Sequence, residues 1–128
     1  MRSALLALLA IAPACHKSDA HVGMDQAKAG LAAAGLKLDA LQPVDPGRFS
    51  ATRCVGGPIE GLDAVVCEYG SDEAVRRGQK AAEAWVAPAV TGAALDNGRT
   101  VLALADRARV DPNGKLIHRV TQAYRKIK

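Results

Sequence analysis

The stretch FSATRCVGGPIEGLDAVVCEY, residues 49–69, decides the fold of this chain. Two strand-like runs flank Glu60-Gly61, where glycine can take the positive φ that a two-residue hairpin loop needs. Counting outward from that loop places Cys54 directly opposite Cys67, in a pair that exchanges no backbone hydrogen bonds. The Cα atoms of such a pair lie about 4.5 Å apart, which a disulfide accepts. The register therefore predicts a β-hairpin closed by a Cys54–Cys67 disulfide.

Two neighbouring features agree with this register. Pro58 falls at a position without a ladder hydrogen bond, where its missing N–H costs nothing, and Arg53 falls opposite the oppositely charged Glu68. The glycines Gly56-Gly57 argue against it, because a bulge or a wider loop there would shift the pairing. The cysteine spacing fits neither a redox Cys-x-x-Cys motif nor a four-ligand zinc site, so we expect the disulfide to be structural.

A helix is expected directly after the hairpin. Ser71 supplies an N-cap, and Asp72 and Glu73 place negative charge at the positive end of the helix dipole. Apolar residues then recur with a period of about 3.6 as far as Trp85, and Pro88 supplies the stop. We interpret Trp85 as the main core anchor of this helix rather than as a platform for a ligand.

Four further patterns complete the architecture. The segment 25–34 predicts a short helix that ends at a glycine, and the segment 36–44 predicts either an edge strand or a packed loop. The apolar run 100–105 has the length of a strand. Asp111-Pro112 predicts the start of a basic C-terminal helix with one apolar stripe.

The resulting order is helix, strand, strand, helix, strand, helix, or α-β-β-α-β-α. This order predicts an α+β fold built as a small two-layer sandwich, with helices covering one face of a sheet that contains the disulfide-linked β-hairpin. The third strand can pair with either hairpin strand, and both arrangements stay open. Because 49% of residues are hydrophobic but only 3% are aromatic, Ala, Val and Leu must supply most of the core.

Positive charge is concentrated near the C-terminus. The net charge is +4, and residues 99–128 carry eight Lys or Arg against two Asp. A basic segment of this kind contacts acidic partners or anionic lipid headgroups, and its alternative is a solvated helix face. The candidate contact residues are Arg119, Arg125, Lys126 and Lys128.

The N-terminus carries an export pattern. Met1-Arg2-Ser3 precedes the apolar run 4–12 and the small residues before Cys15, which fits a secretory signal peptide and is too short to span a bilayer. The cysteine after these small residues resembles the acylated first residue of bacterial lipoproteins. The resemblance covers residues 1–15 and implies a diacylglyceryl group on the Cys15 sulfur and an acyl chain on its amine. Lipoprotein signal peptides usually carry Leu three residues before the cysteine, where this chain has Ala12. The same cleavage site also suits ordinary signal peptidase, which would release a soluble protein.

These readings divide the chain into a signal peptide at 1–14, a lipid anchor and tether at 15–23, and one α+β domain at 24–128. If Cys15 is acylated, the other two cysteines remain as a pair, so the cysteine count agrees with the lipoprotein resemblance. Lipoproteins that stay in the inner membrane usually carry an acidic residue directly after the acylated cysteine, whereas this chain has His16 and Lys17 there. The resemblance therefore implies delivery to the outer membrane.

No residue pattern points to catalysis, to a metal or to a cofactor, and none of these is expected. His16 and His21 lie in the tether without fixed geometry for a metal, and His118 lies off the apolar stripe, where we expect exposure. Ser50 and Ser71 lack a Gly-x-Ser-x-Gly elbow. The basic helix has no interleaved exposed aromatics, so a nucleic-acid partner is not expected either.

The sequence therefore predicts a lipoprotein tethered to the membrane of the bacterial cell envelope through Cys15. Its domain is expected to be a non-enzymatic interaction or scaffolding module that contacts an acidic envelope partner or lipid headgroups. The alternative is a soluble secreted or periplasmic small-ligand-binding protein, or an enzyme whose site is assembled from distant residues. A deep pocket that gathers Asp106, Arg107 and His118 would favour that alternative.

Overall fold

The computed structural model describes residues 21–38 and 40–128, so the predicted signal peptide at 1–14 and Cys15 lie outside the described residues. The helices are α1 Met24–Ala33, α2 Asp72–Val86 and α3 Lys115–Arg125, with a 3-10 helix at Pro46–Phe49; the strands are β1 Gln42–Val44, β2 Arg53–Ile59, β3 Leu62–Glu68, β4 Gly92–Asn97 and β5 Thr100–Ala105. All strand pairs are antiparallel, in the order β1-β2-β3-β5-β4. The α+β class is confirmed.

The predicted hairpin register is confirmed at every pair from Ile59↔Leu62 to Arg53↔Glu68. The Cys54–Cys67 disulfide links β2 to β3, with the two Cα atoms 4.1 Å apart. Gly56 and Gly57 keep the pairing in step, because they oppose consecutive residues of β3 and insert no extra residue.

The sheet has two strands more than the sequence order predicted. Of the two alternatives for residues 36–44, the edge strand is formed, as β1. The backbone N–H and C=O groups of Cys54 point toward β1, where Cys54 is paired with Val44. Because the backbone groups of successive strand residues point in opposite directions, those of the neighbouring Pro43 point outward, away from the sheet. The predicted strand 100–105 is β5 and pairs with β3, which settles the question left open by the sequence. The unpredicted strand β4 forms a second hairpin with β5 around Gly98, at φ +59°.

Helices cover both faces of the sheet, whereas the expected sandwich had helices on one face. Alternate β3 residues divide between the two faces: Leu62, Ala64 and Val66 pack with α1 and α3, while Val65 and Cys67 pack with α2 and the 3-10 helix. Every residue of β5 is buried. A strand without a polar face needs cover on both sides, so the structure has three layers rather than two.

The helix ends are capped largely as the sequence indicated. The Ser71 hydroxyl accepts a hydrogen bond from the Ala74 N–H at 3.1 Å at the start of α2. Helix α3 begins later than expected, at Lys115, yet Asp111 still caps it: the Asp111 carboxylate accepts from the N–H groups of Leu116 at 3.0 Å and Ile117 at 2.8 Å. The domain also begins earlier than residue 24, because Val22 is already buried in the core.

Candidate functional site

Of the four basic residues predicted as a contact surface, Arg119 and Lys126 line one groove beside α3, but the four differ in their ion pairs. Arg119, in the middle of α3, pairs with Glu60 of the β2–β3 turn at 2.9 Å. Arg125, Lys126 and Lys128 lie at the C-terminal end of α3 and are exposed. Within the described ranges, no ion pair involves these last three residues. We call Arg125, Lys126 and Lys128 the basic end.

The described chain enters the domain beside the basic end. The Asn97 side-chain amide donates to the carbonyl oxygens of Tyr124 at 2.9 Å and Ile127 at 2.8 Å, which holds the C-terminal turn of α3 against the β4–β5 turn. On the same turn, the Arg99 N–H donates to the Val22 carbonyl oxygen at 3.0 Å. The chain entry at Val22, the β4–β5 turn and the basic end therefore meet at one end of the domain.

Other cations at this end of the domain are largely compensated by acids. Arg53 forms ion pairs with Glu68 at 3.0 Å and with Asp25 at 3.6 Å. Arg99 Nε lies 3.1 Å from Asp72 Oδ1, and these two groups form an ion pair whose geometry is not that of a hydrogen bond. Hydrogen bonds from the Arg53 side chain and a backbone N–H lower the pKa of Glu68. The three cations of the basic end, in contrast, form no ion pair with the described residues.

The residues whose grouping would have favoured an enzyme do not line a common pocket. The Asp106 carboxylate is buried and accepts from the N–H groups of Val110 at 3.0 Å and Asp111 at 2.9 Å, which fixes the loop before α3. Arg107 stacks on Trp85, and His118 is exposed on α3, as expected. In the described ranges, no group of three or more His, Cys, Asp or Glu could hold a metal ion.

A cleft on the disulfide face of the sheet was not predicted. Helix α2 packs across β5 and β4, so it leaves the neighbouring part of β2 and β3 uncovered. The 3-10 helix flanks this gap on one side, and Trp85, near the end of α2, flanks it on the other. The result is a cavity of about 360 Å³, which we call the aromatic cleft.

The floor and walls of the aromatic cleft are mainly apolar. Gly56 contributes to the floor, and Phe49 and Trp85 form walls whose ring centroids lie 6.3 Å apart in an edge-to-face arrangement. The Arg107 guanidinium lies 4.2 Å from the centroid of the Trp85 ring and donates to the Trp85 carbonyl oxygen at 2.9 Å. Its other amino group lies 3.4 Å from Asp63, which also lines the cleft.

Trp85 thus has a second position beside the one expected from the sequence. It packs against the buried cluster under α2, as a core anchor does, but it stays partly exposed and forms a cleft wall. The available signal was Gly56, because a residue without a side chain leaves its position on the strand face uncovered.

No family model, curated protein or solved structure matches this chain. Of the helices in residues 21–38 and 40–128, none combines the length and the apolar character needed to cross a bilayer.

Proposed function

We propose that this chain is a lipoprotein of the bacterial cell envelope, anchored through Cys15, whose domain acts as a non-enzymatic interaction module with its basic end against anionic lipid headgroups. The export pattern of residues 1–15 and the Cys54–Cys67 disulfide support an extracytoplasmic location, because disulfides persist in oxidising compartments.

The observation that carries the headgroup contact is the meeting of the chain entry and the basic end. Six residue steps separate Cys15 from His21, and a fully extended chain spans at most about 20 Å over that length. An acyl anchor at Cys15 therefore keeps the Val22 end of the domain close to the membrane. That end carries Arg125, Lys126 and Lys128, which form no ion pair within residues 21–38 and 40–128.

The expected energy of this contact is modest. Basic residues near an anionic bilayer contribute on the order of 1 kcal/mol each, and the attraction weakens beyond about a Debye length. The acyl chains supply the attachment, whereas the basic end orients the domain. Arg119 has a minor part in this arrangement, because it pairs with Glu60 away from the chain entry.

Two measurements test the proposal separately. Mass spectrometry of the mature N-terminal peptide should show a diacylglyceryl group and an acyl chain on Cys15. A Cys15→Ser chain should leave the membrane fraction. An unmodified Cys15 at the mature N-terminus would overturn the tether.

The orientation is tested on the acylated protein in vesicles by the rate of lysine acetylation. In vesicles with anionic phosphatidylglycerol, Lys126 and Lys128 should react several-fold more slowly than in phosphatidylcholine vesicles. Lys115, at the other end of α3, is the internal control and should react equally in both. Equal rates at Lys126 and Lys128 in the two vesicle types would overturn the headgroup contact and would favour an acidic protein partner.

A further inference from the structure

We propose that the aromatic cleft binds a small zwitterion with an apolar body, of the size of an apolar amino acid or a dipeptide. This site is independent of the membrane tether, because the cleft lies on the sheet face opposite α3. The proposal combines the shape of the cleft with the charges on its rim.

The cleft has the size and lining of a small-ligand site. Its volume of about 360 Å³ lies within the range of protein pockets that hold small molecules, which are mostly apolar with a few polar groups at the rim. Trp85 is partly exposed and offers aromatic surface to an apolar side chain, and the buried Phe49 packs edge-to-face against it. Gly56 keeps the floor low, since a Cβ atom there would lie 3.0 Å from a Val44 methyl group.

One rim of the cleft carries two opposite charges. Asp45 caps the 3-10 helix, Arg48 lies within that helix, and both residues line the cleft. Asp45 Oδ1 accepts the Gly47 N–H at 2.9 Å, which leaves Oδ2 available. Within the described part of the chain, no ion pair involves Asp45 or Arg48.

This rim selects for a ligand that carries both charges. A ligand ammonium would reach Asp45 and a carboxylate would reach Arg48, with the apolar body against the exposed face of Trp85 and the floor of the cleft. A purely anionic ligand would meet Asp45, and a purely cationic one would meet Arg48, so each would lose one favourable contact and gain one unfavourable contact. The other charged residue that lines the cleft, Asp63, is already paired with Arg107, which stacks on Trp85.

The chain contains one tryptophan, so the fluorescence of Trp85 reports directly on the cleft. The full chain is titrated with leucine and with leucyl-leucine, which distinguish a free amino acid from a peptide. The controls, 4-methylpentanoate and isopentylamine, have a similar apolar body and one charge each. We expect saturable binding of at least one zwitterion, about tenfold tighter than either control.

Two variants test the charged rim. Arg48→Gln and Asp45→Asn should each weaken zwitterion binding by about tenfold, because each removes a charge-assisted contact. Asn retains the capping oxygen, so Asp45→Asn should stay folded. Arg77→Gln, an exposed arginine near the first turn of α2, is the matched control and should bind as the parent does. Absence of saturation up to about 20 mM zwitterion, or equal affinity for the singly charged controls, would overturn the proposal.

Discussion

The buried hydroxyl pair of Thr100 and Tyr124 allows a prediction about which partner stabilises the domain more. Both residues are fully buried, and their oxygens lie 2.6 Å apart between β5 and α3. Thr100 also donates to the Asn97 carbonyl oxygen at 2.8 Å. A hydroxyl has one hydrogen to donate, so the Tyr124 hydroxyl must donate to Thr100.

This direction makes the two single substitutions unequal. Tyr124→Phe removes one hydrogen bond but leaves Thr100 bonded to Asn97, so it should lower the free energy of unfolding by about 1 kcal/mol. Thr100→Val leaves the Tyr124 hydroxyl and the Asn97 carbonyl oxygen without this partner, so it should cost about 2 to 3 kcal/mol. The double variant has no stranded tyrosine hydroxyl, so its loss should fall below the sum of the single losses by about 1 kcal/mol.

Urea unfolding of the four proteins, with the disulfide intact, measures this cycle. The slopes with urea should agree among the proteins, so that differences in midpoint report on stability. If the two losses add to within about 0.3 kcal/mol, or if Tyr124→Phe costs more than Thr100→Val, the assigned direction of the hydrogen bond is wrong.

Three further predictions concern the covalent and titratable groups. The Cys54→Ala/Cys67→Ala chain should lose about 2 to 3 kcal/mol in urea unfolding relative to the oxidised parent, because the hairpin loop is no longer closed in the unfolded state. Burial raises the pKa of Tyr69 to about 12 and raises the pKa of Tyr124 as well, so the native protein should show little tyrosinate absorbance at about pH 11. The free energy of unfolding should fall as the pH rises above about 10, because the tyrosines of the unfolded chain ionise first. Folding lowers the pKa of Glu68, so the parent protein should be more stable than the Glu68→Gln variant at neutral pH, and this difference should shrink as the pH falls below about 4.5. A difference in unfolding free energy that does not change with pH would contradict this.

The hairpin could be predicted from the sequence because its determinants are local. Glu60-Gly61 fixes the loop, the loop fixes the register, and the register alone places Cys54 beside Cys67. The same locality explains the caps, since the acceptors at Ser71 and Asp111 lie within six residues of the N–H groups they bind.

Strand β4 and the second covered face depend on distant residues. The run Gly92–Asn97 has little strand character of its own and is held by pairing with β5 and by the Gln79 side-chain amide, which donates to the Ala94 carbonyl oxygen at 2.7 Å. The cover on both faces follows from the fully apolar β5, whose central place in the sheet becomes known only with the strand order.

The candidate sites could be predicted only in part from the sequence, because they too depend on contacts between distant residues. The basic character of α3 is visible in the sequence, but the ion pair that separates Arg119 from the other cations requires Glu60, which lies 59 residues earlier in the chain. The aromatic cleft arises from the sideways position of α2 over β5 and β4, which no local pattern contains. Trp85 was therefore interpreted only as a core residue.

The outward-facing proline of the edge strand has a consequence for molecules held on a surface. The proposed anchor at Cys15 would confine copies of the protein to one leaflet at high local concentration, where an open sheet edge invites strand addition between copies. The outward position of β1 is Pro43, which has no N–H to offer, and the outward carbonyl of Ala94 on β4 is taken by Gln79. Each border of the sheet thus lacks one group that intermolecular pairing would use, which favours crowded copies that remain separate rather than joining into fibrils.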